Sequence, residues 1–149
     1  MDAVKVEFYP LTPKAASRFP SKSTDGAAGF DIQATLTRDV CLKPGERALI
    51  PTGFALTIPE GFEAQLRPRS GWAYRTGVSL LNSPGTIDSD YRGEIKVLLI
   101  NLGDRDVWIK DGDRIAQLVF GKVQSIMFAT VDKITETSRG NRGFGHSGR

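Results

Sequence analysis

Turn-forming pairs recur along this chain at spacings too short for long helices: Pro44-Gly45, Pro51-Thr52-Gly53, Pro59-Glu60-Gly61, Pro84-Gly85 and Asp111-Gly112. Proline presets φ and glycine accepts positive φ, so each marks a place where the backbone reverses. Between the markers lie runs rich in β-branched and large apolar residues, which suit a pleated, half-buried surface. Strands are expected at Val4–Tyr9, Arg47–Ile50, Ala55–Ile58, Glu94–Leu102, Val107–Ile109, Arg114–Phe120 and Ser125–Val131. Short strands at this spacing predict an all-β barrel or sandwich. Within Lys96-Val97-Leu98-Leu99-Ile100, apolar residues stand at consecutive positions, which implies cover on both faces by a second sheet or another subunit. Only Ser70–Thr76 reads as a helix, with Ser70 as its N-cap.

At 149 residues the chain suits one domain, large enough to fold without disulfides. The single cysteine, Cys41, lies in the apolar run Val40-Cys41-Leu42 and is expected to be buried and inert. No stretch approaches the roughly 18–20 apolar residues of a membrane span. Asp2, Lys5 and Glu7 are foreign to a signal peptide, so a soluble, reducing, cytoplasmic setting is expected, with no membrane partner. The net charge of +3 comes from well-mixed charges, which favours a phosphorylated small molecule over nucleic acid. The last stretch, residues 138–149, alternates glycine with polar residues around one aromatic and reads as a flexible arm on a β core of residues 1–137.

Familiar catalytic patterns are missing. No glycine-rich loop ends in Gly-Lys-Ser/Thr, and one histidine with one cysteine cannot build a zinc site from those ligands. Five clusters remain. Ala27-Ala-Gly-Phe-Asp-Ile-Gln-Ala34 places Asp31 at the start of a strand. Arg67-Pro-Arg-Ser-Gly-Trp-Ala73 sets two arginines beside the first turn of the helix, an arrangement suited to phosphate. Asn82-Ser-Pro-Gly-Thr-Ile-Asp-Ser-Asp-Tyr-Arg-Gly-Glu94 holds two carboxylates and a tyrosine around a tight turn, and Gly112-Asp-Arg-Ile-Ala-Gln-Leu118 sets Gln117 among apolar neighbours. The fifth is the arm, with Arg139, Arg142 and Phe144. Each alone has a plain structural reading: solvated arginines, turn aspartates, a glutamine bonded to backbone, a disordered tail or a tail that binds single strands.

In order, these clusters resemble the five motifs of the homotrimeric dUTPases: Ala28-Gly-Phe-Asp-Ile, Pro68-Arg-Ser-Gly, Gly85 through Glu94, Arg114-Ile-Ala-Gln-Leu118 and Arg139 through Gly148. The resemblance implies a jelly-roll-like β fold, a trimer with shared active sites, and hydrolysis of dUTP to dUMP and pyrophosphate, which limits uracil in DNA and supplies dUMP for thymidylate synthesis. It implies that Asp88 is the catalytic carboxylate directing water at the α-phosphorus, and that Asp31 helps place Mg²⁺ through water. Arg69, Ser70 and Gln117 resemble phosphate contacts. Arg139 and Ser147 would close on the γ-phosphate, with Phe144 stacked over uracil. Asn82 would assist the hairpin backbone in reading the base, and Tyr91 would pack beneath the deoxyribose. Gly71, Gly85, Thr86, Ile87, Lys96, Gly145 and His146 complete the substrate contacts so implied. Asp90, two residues beyond Asp88, is expected on the opposite face of an extended segment, in a structural role. The rivals are a dCTP deaminase on the same fold, whose acid–base residue has no visible signature here, and a regulatory or nucleic-acid-binding protein that kept the fold.

Overall fold

The computed structural model describes residues 3–145, 147 and 148. Eleven short strands and one helix follow one another: β1 (Glu7–Pro10), β2 (Gly29–Gln33), β3 (Val40–Leu42), β4 (Arg47–Pro51), β5 (Phe54–Thr57), β6 (Phe62–Arg67), α1 (Ser70–Thr76), β7 (Val78–Leu80), β8 (Gly85–Ile87), β9 (Lys96–Asn101), β10 (Val107–Ile109) and β11 (Arg114–Lys122). A short 3-10 helix, Lys14–Ser17, follows β1. Every strand pairing is antiparallel. Four strands form one sheet in the order β2-β11-β6-β8, three form another as β4-β9-β7, and β1-β5 and β10-β3 are two-stranded ribbons. The result is the expected jelly-roll-like all-β fold, with separate sheets in place of one closed barrel.

Alternation builds the core. In β9, Val97, Leu99 and Asn101 are buried while Leu98 and Ile100 are only half-buried, so one face is sealed within the chain and the other is not. Ile32, Leu42, Ile50, Phe54, Leu99, Ile109 and Leu118 are all almost wholly inaccessible, and burying each such side chain contributes about 1.5–3 kcal/mol. Two polar side chains share that interior, Thr52 and Asn101. Asn101 Nδ2 donates to the carbonyls of Leu42 at 2.8 Å and Arg105 at 2.7 Å, and its Oδ1 accepts from the Gly103 amide at 2.9 Å. The Thr52 hydroxyl donates to the Ile95 carbonyl at 2.5 Å. Among the described residues no buried side-chain nitrogen or oxygen lacks a partner, so hydrogen bonds offset the desolvation of both polar groups.

Helix α1 stops at Gly77, which adopts φ 76° and returns its amide to the Ala73 carbonyl at 2.8 Å. A side chain there would also stand 2.6 Å from the Gly103 Cα, so only glycine fits. At the other end the cap is Arg69, in extended conformation, and Ser70 is the first helical residue, contrary to expectation; no side chain caps this end. Before β11, Arg18 donates two hydrogen bonds to Asp111, at 2.7 and 2.8 Å, and the Leu36 amide donates a third at 2.8 Å. These donors hold the Asp111 carboxyl well below the usual carboxylate range.

Two further expectations fail. Ser125–Val131 forms no strand; the chain leaves the core at Lys122, and Met127, Phe128 and Ile134 are almost fully exposed. An extended apolar segment needs a partner edge, and the described part of this chain offers it none. Cys41 is half-buried; burial still pushes its thiol up, with Asp106 adding to the effect. No helix among the described residues is long and apolar enough to cross a membrane.

Candidate active site

A bulge in β11 makes the first part of the site. Arg114 faces Gln33 and Ala116 faces Ile32, so Ile115 is an extra residue in the ladder. Ile115 and Ala116 are consequently both buried. Without the bulge Arg114 would share the inward face of Ala116 and Leu118; with it, Arg114 and Gln117 emerge on the same outer face. Asp31, in the middle of β2 and not at its start, lies opposite Gln117, which lies opposite Arg67 in β6. Asp31 Oδ1 accepts from Arg69 Nε at 3.1 Å, and Oδ2 accepts from Arg114 Nη1 at 3.4 Å and the Ser23 hydroxyl at 3.5 Å. Arg69 also donates to the Arg114 carbonyl at 3.3 Å. The Gln117 amide donates to the Pro68 carbonyl at 2.9 Å and so fixes the entry to α1, whose first residues Ser70 and Gly71 are exposed. Sequence reasoning gave no role to Gly29. Its Cβ would collide with the Gln117 amide, 2.9 Å from Cδ. Glycine inside a strand was the available signal, because it marks close approach by another group.

The second part surrounds β8. Gly85, Thr86 and Ile87 pair with Leu66, Gln65 and Ala64, and Asn82, Asp88, Tyr91 and Lys96 gather around them. With Leu49, Leu66, Glu94 and Ile95 they line a cavity of about 270 Å³. The Asn82 amide lies over Gly85, 3.1 Å from where a side chain there would begin. Tyr91 donates its hydroxyl to the Glu94 carbonyl at 2.9 Å, and Lys96 stands 3.8 Å from the Glu94 carboxylate. Asp88 is exposed just past the end of β8. The chain turns there, the Tyr91 amide donating to the Asp88 carbonyl at 3.2 Å. The expectation of opposite faces fails: residues two apart share a face even in an extended segment, and Asp88 and Asp90 border one depression of about 860 Å³.

The third part is the arm. Arg139 and Arg142 exchange hydrogen bonds, each Nε donating to the other's carbonyl at 2.9 Å. Ser138, Gly145 and Ser147 surround them, and the Phe144 ring is fully exposed. His146 lies outside the described residues.

Among the described residues no side-chain hydrogen bond joins these parts. Phe30, Leu118, Leu66 and Gly85 form one row across the four-stranded sheet, and three strand spacings put β2 roughly 14 Å from β8. The arm touches neither cluster through any hydrogen bond between described residues. Among the described residues no three His, Cys, Asp or Glu side chains form a cage for a metal ion.

The fold is a jelly-roll-like all-β one, with Arg69 and Arg114 converging on Asp31 and an exposed carboxylate beside the β8 cavity, and the sequence holds no glycine-loop phosphate motif. The profile of the dUTPase family matches residues 15–148. The deoxyuridine 5'-triphosphate nucleotidohydrolase of Bdellovibrio bacteriovorus is 52% identical over 130 residues, 87% of each chain. That of Desulfotalea psychrophila is 51% identical over 146 residues, 97% of each. A Staphylococcus bacteriophage 80alpha dUTPase with dUpNHpp is similar in structure, with a TM-score of 0.83 at 27% identity over 97% of this chain and 99% of that one. A dUTPase from phage phi11 of S. aureus, described with a structural Mg(II) ion, has a TM-score of 0.76 at 25% identity over 87% of this chain and 97% of that one. The chain belongs to the dUTPase family, and its enzyme class is dUTP diphosphatase.

Proposed function

We propose that this chain hydrolyses dUTP to dUMP and pyrophosphate by attack of water on the α-phosphorus, with Asp88 holding the water. The observation that carries the reading is the position of Asp88: an exposed carboxylate at the mouth of the cavity lined by Gly85, Thr86 and Ile87. A base seated on that hairpin directs its sugar and phosphates outward past Asp88. The carboxylate orients the water and accepts its proton as the oxygen bonds to phosphorus and the bond to the pyrophosphate oxygen breaks, a contribution of roughly 10²–10⁴-fold.

Uracil presents an N3–H donor between two carbonyl acceptors, whereas cytosine presents an acceptor at N3 and an amino group at C4. Backbone groups of Gly85 and Ile87, with the Asn82 amide, match the first pattern, and each mismatched polar group would cost about 1–3 kcal/mol. Tyr91, tied down at Glu94, forms the shelf beneath the deoxyribose, and Lys96 borders the same cavity. Arg69, Ser70, Gly71 and Gln117 receive the phosphates. The donor set fits a Mg²⁺ ion carried in on the triphosphate, because both oxygens of Asp31 already accept from arginine and leave it an outer contact through water. Bound there, the ion would neutralise phosphate charge.

The three separated parts support a homotrimer in which one subunit gives Asp88 and its hairpin, a second gives Asp31, Arg69 and Gln117, and a third gives the arm. In that arrangement residues 1–137 are the core. Arg139 and Ser147 bind the γ-phosphate, Phe144 stacks on uracil, Gly145 and His146 complete the substrate contacts, and closure of the arm excludes bulk water. Incubation with Mg²⁺ and dUTP, dCTP or UTP, followed by product identification, tests the reading. Pyrophosphate with dUMP is expected from dUTP alone; ammonia released from dCTP, or no turnover at all, would overturn it.

A further inference from the structure

Between Tyr91 and Glu94 in the cavity wall lies Gly93. The bond from the Tyr91 hydroxyl to the Glu94 carbonyl folds the aromatic ring back over the Gly93 backbone. A Cβ on Gly93 would collide with the hydroxyl oxygen and stand 2.7 Å from Cζ and 3.0 Å from Cε2 of the ring. Non-bonded carbon atoms pack at roughly 3.5–4.0 Å, so the ring's seat exists only while residue 93 has no side chain. The floor under the ring is itself anchored. Glu94 Oε1 accepts from the Gly53 amide at 3.0 Å, and the Ile95 amide donates to the Phe54 carbonyl at 2.9 Å. A larger residue at 93 therefore displaces the ring and leaves the backbone where it is, and Tyr91, 47% exposed, has solvent to swing into.

We propose that Gly93 is a positioning residue for sugar selectivity: by giving Tyr91 its seat, it keeps the ring where a ribose 2'-hydroxyl would have to stand. The inference rests on the reading of Tyr91 as the shelf beneath the deoxyribose. It separates position from stability, since the displaced atoms are the far end of a half-exposed side chain.

The test compares the full-length chain with Gly93→Ala, Tyr91→Ala and the double variant, on dUTP and on UTP, alongside melting curves and a crystal structure of Gly93→Ala. Gly93→Ala is expected to melt within a few degrees of the parent and to show the ring swung away with its bond to Glu94 lost. Its preference for dUTP over UTP in kcat/KM should fall about ten-fold or more. The double variant should match Tyr91→Ala, because both changes act through one ring. A ring still seated in Gly93→Ala, or an equal further loss when Gly93→Ala is added to Tyr91→Ala, would overturn the seat itself. If the ring is displaced but Tyr91→Ala still rejects UTP as the parent does, the premise about Tyr91 fails and the selectivity role falls with it.

Discussion

The side chain of Gln117 occupies the space in which any side chain on Gly29 would project, and it holds the Pro68 carbonyl from there. Gly29→Ala should push the amide aside and free the start of α1. Because the amide is the movable end of its side chain, the fold should survive with a loss of about 1–3 kcal/mol. If Gln117 is a phosphate contact, KM for dUTP should rise roughly ten-fold, the loss of one hydrogen bond. Steady-state kinetics beside a denaturant melt would show it; unchanged KM would mean that Gln117 does not depend on this seat.

Asp88→Asn should keep the fold and dUTP binding while lowering kcat about 10²–10⁴-fold. Asp90 borders the same depression, so Asp90→Asn is the proper control and should have a much smaller effect. Kinetics on both variants decide the assignment: a crippled Asp90→Asn with a nearly silent Asp88→Asn reverses it.

The knot at Asp111 should appear in acid. Its carboxyl is held low in the folded state, first by the Arg18 bonds and then by the Leu36 amide. Its contribution is thus complete above the unfolded carboxylate value of about 3.9 and is lost as pH falls below it. The Asp111 side chain is 34% exposed, so screening limits the effect of Asp111→Asn to roughly 1 kcal/mol at neutral pH. Melting temperatures of parent and variant should converge between pH 4 and pH 2, as orders of magnitude for that titration. A gap that stays constant with pH would remove the electrostatic explanation.

Deleting residues 138–149 should leave a folded trimer with little activity. Refolded together with full-length Asp88→Asn, the truncated chain supplies Asp88 and the variant supplies the arm, so mixed trimers should regain part of the rate. Native mass spectrometry would verify mixing, and silent mixed trimers would exclude a shared site.

Pattern and turn chemistry made the all-β class legible, since Pro-Gly and Asp-Gly reversals are local. The ordered clusters made the family legible. Asp31, Arg69 and Gln117 do meet as one group, and Asn82, Asp88 and Tyr91 as another. What the sequence concealed was long-range. The bulge that turns Arg114 outward shows only in the ladder with β2, and the Gly29 and Gly93 contacts depend on side chains folding back over backbone. Ser125–Val131 has the composition of a strand, yet a strand exists only where a neighbouring edge accepts its hydrogen bonds. The expectation that Asp90 faces away from Asp88 fails on the alternation rule itself, which sets residues two apart on the same face, and the two aspartates do border one depression.

Strand β11 lies between β2 and β6, in the middle of the largest sheet, although it is the last strand in the chain. On a ribosome, β2 emerges first and then waits for a neighbour from residue 114 onward. At roughly 5–20 residues per second, the 81 positions from Gln33 to Arg114 take on the order of 4–16 s to make. Until β11 arrives, β2 and, once it is made, the edge of β6 that faces away from β8 have no strand to join them, a state prone to pairing with other nascent chains. Crowded synthesis of this chain should therefore yield aggregates in proportion to how long β11 is delayed, even though the finished fold seats β11 between its two neighbours.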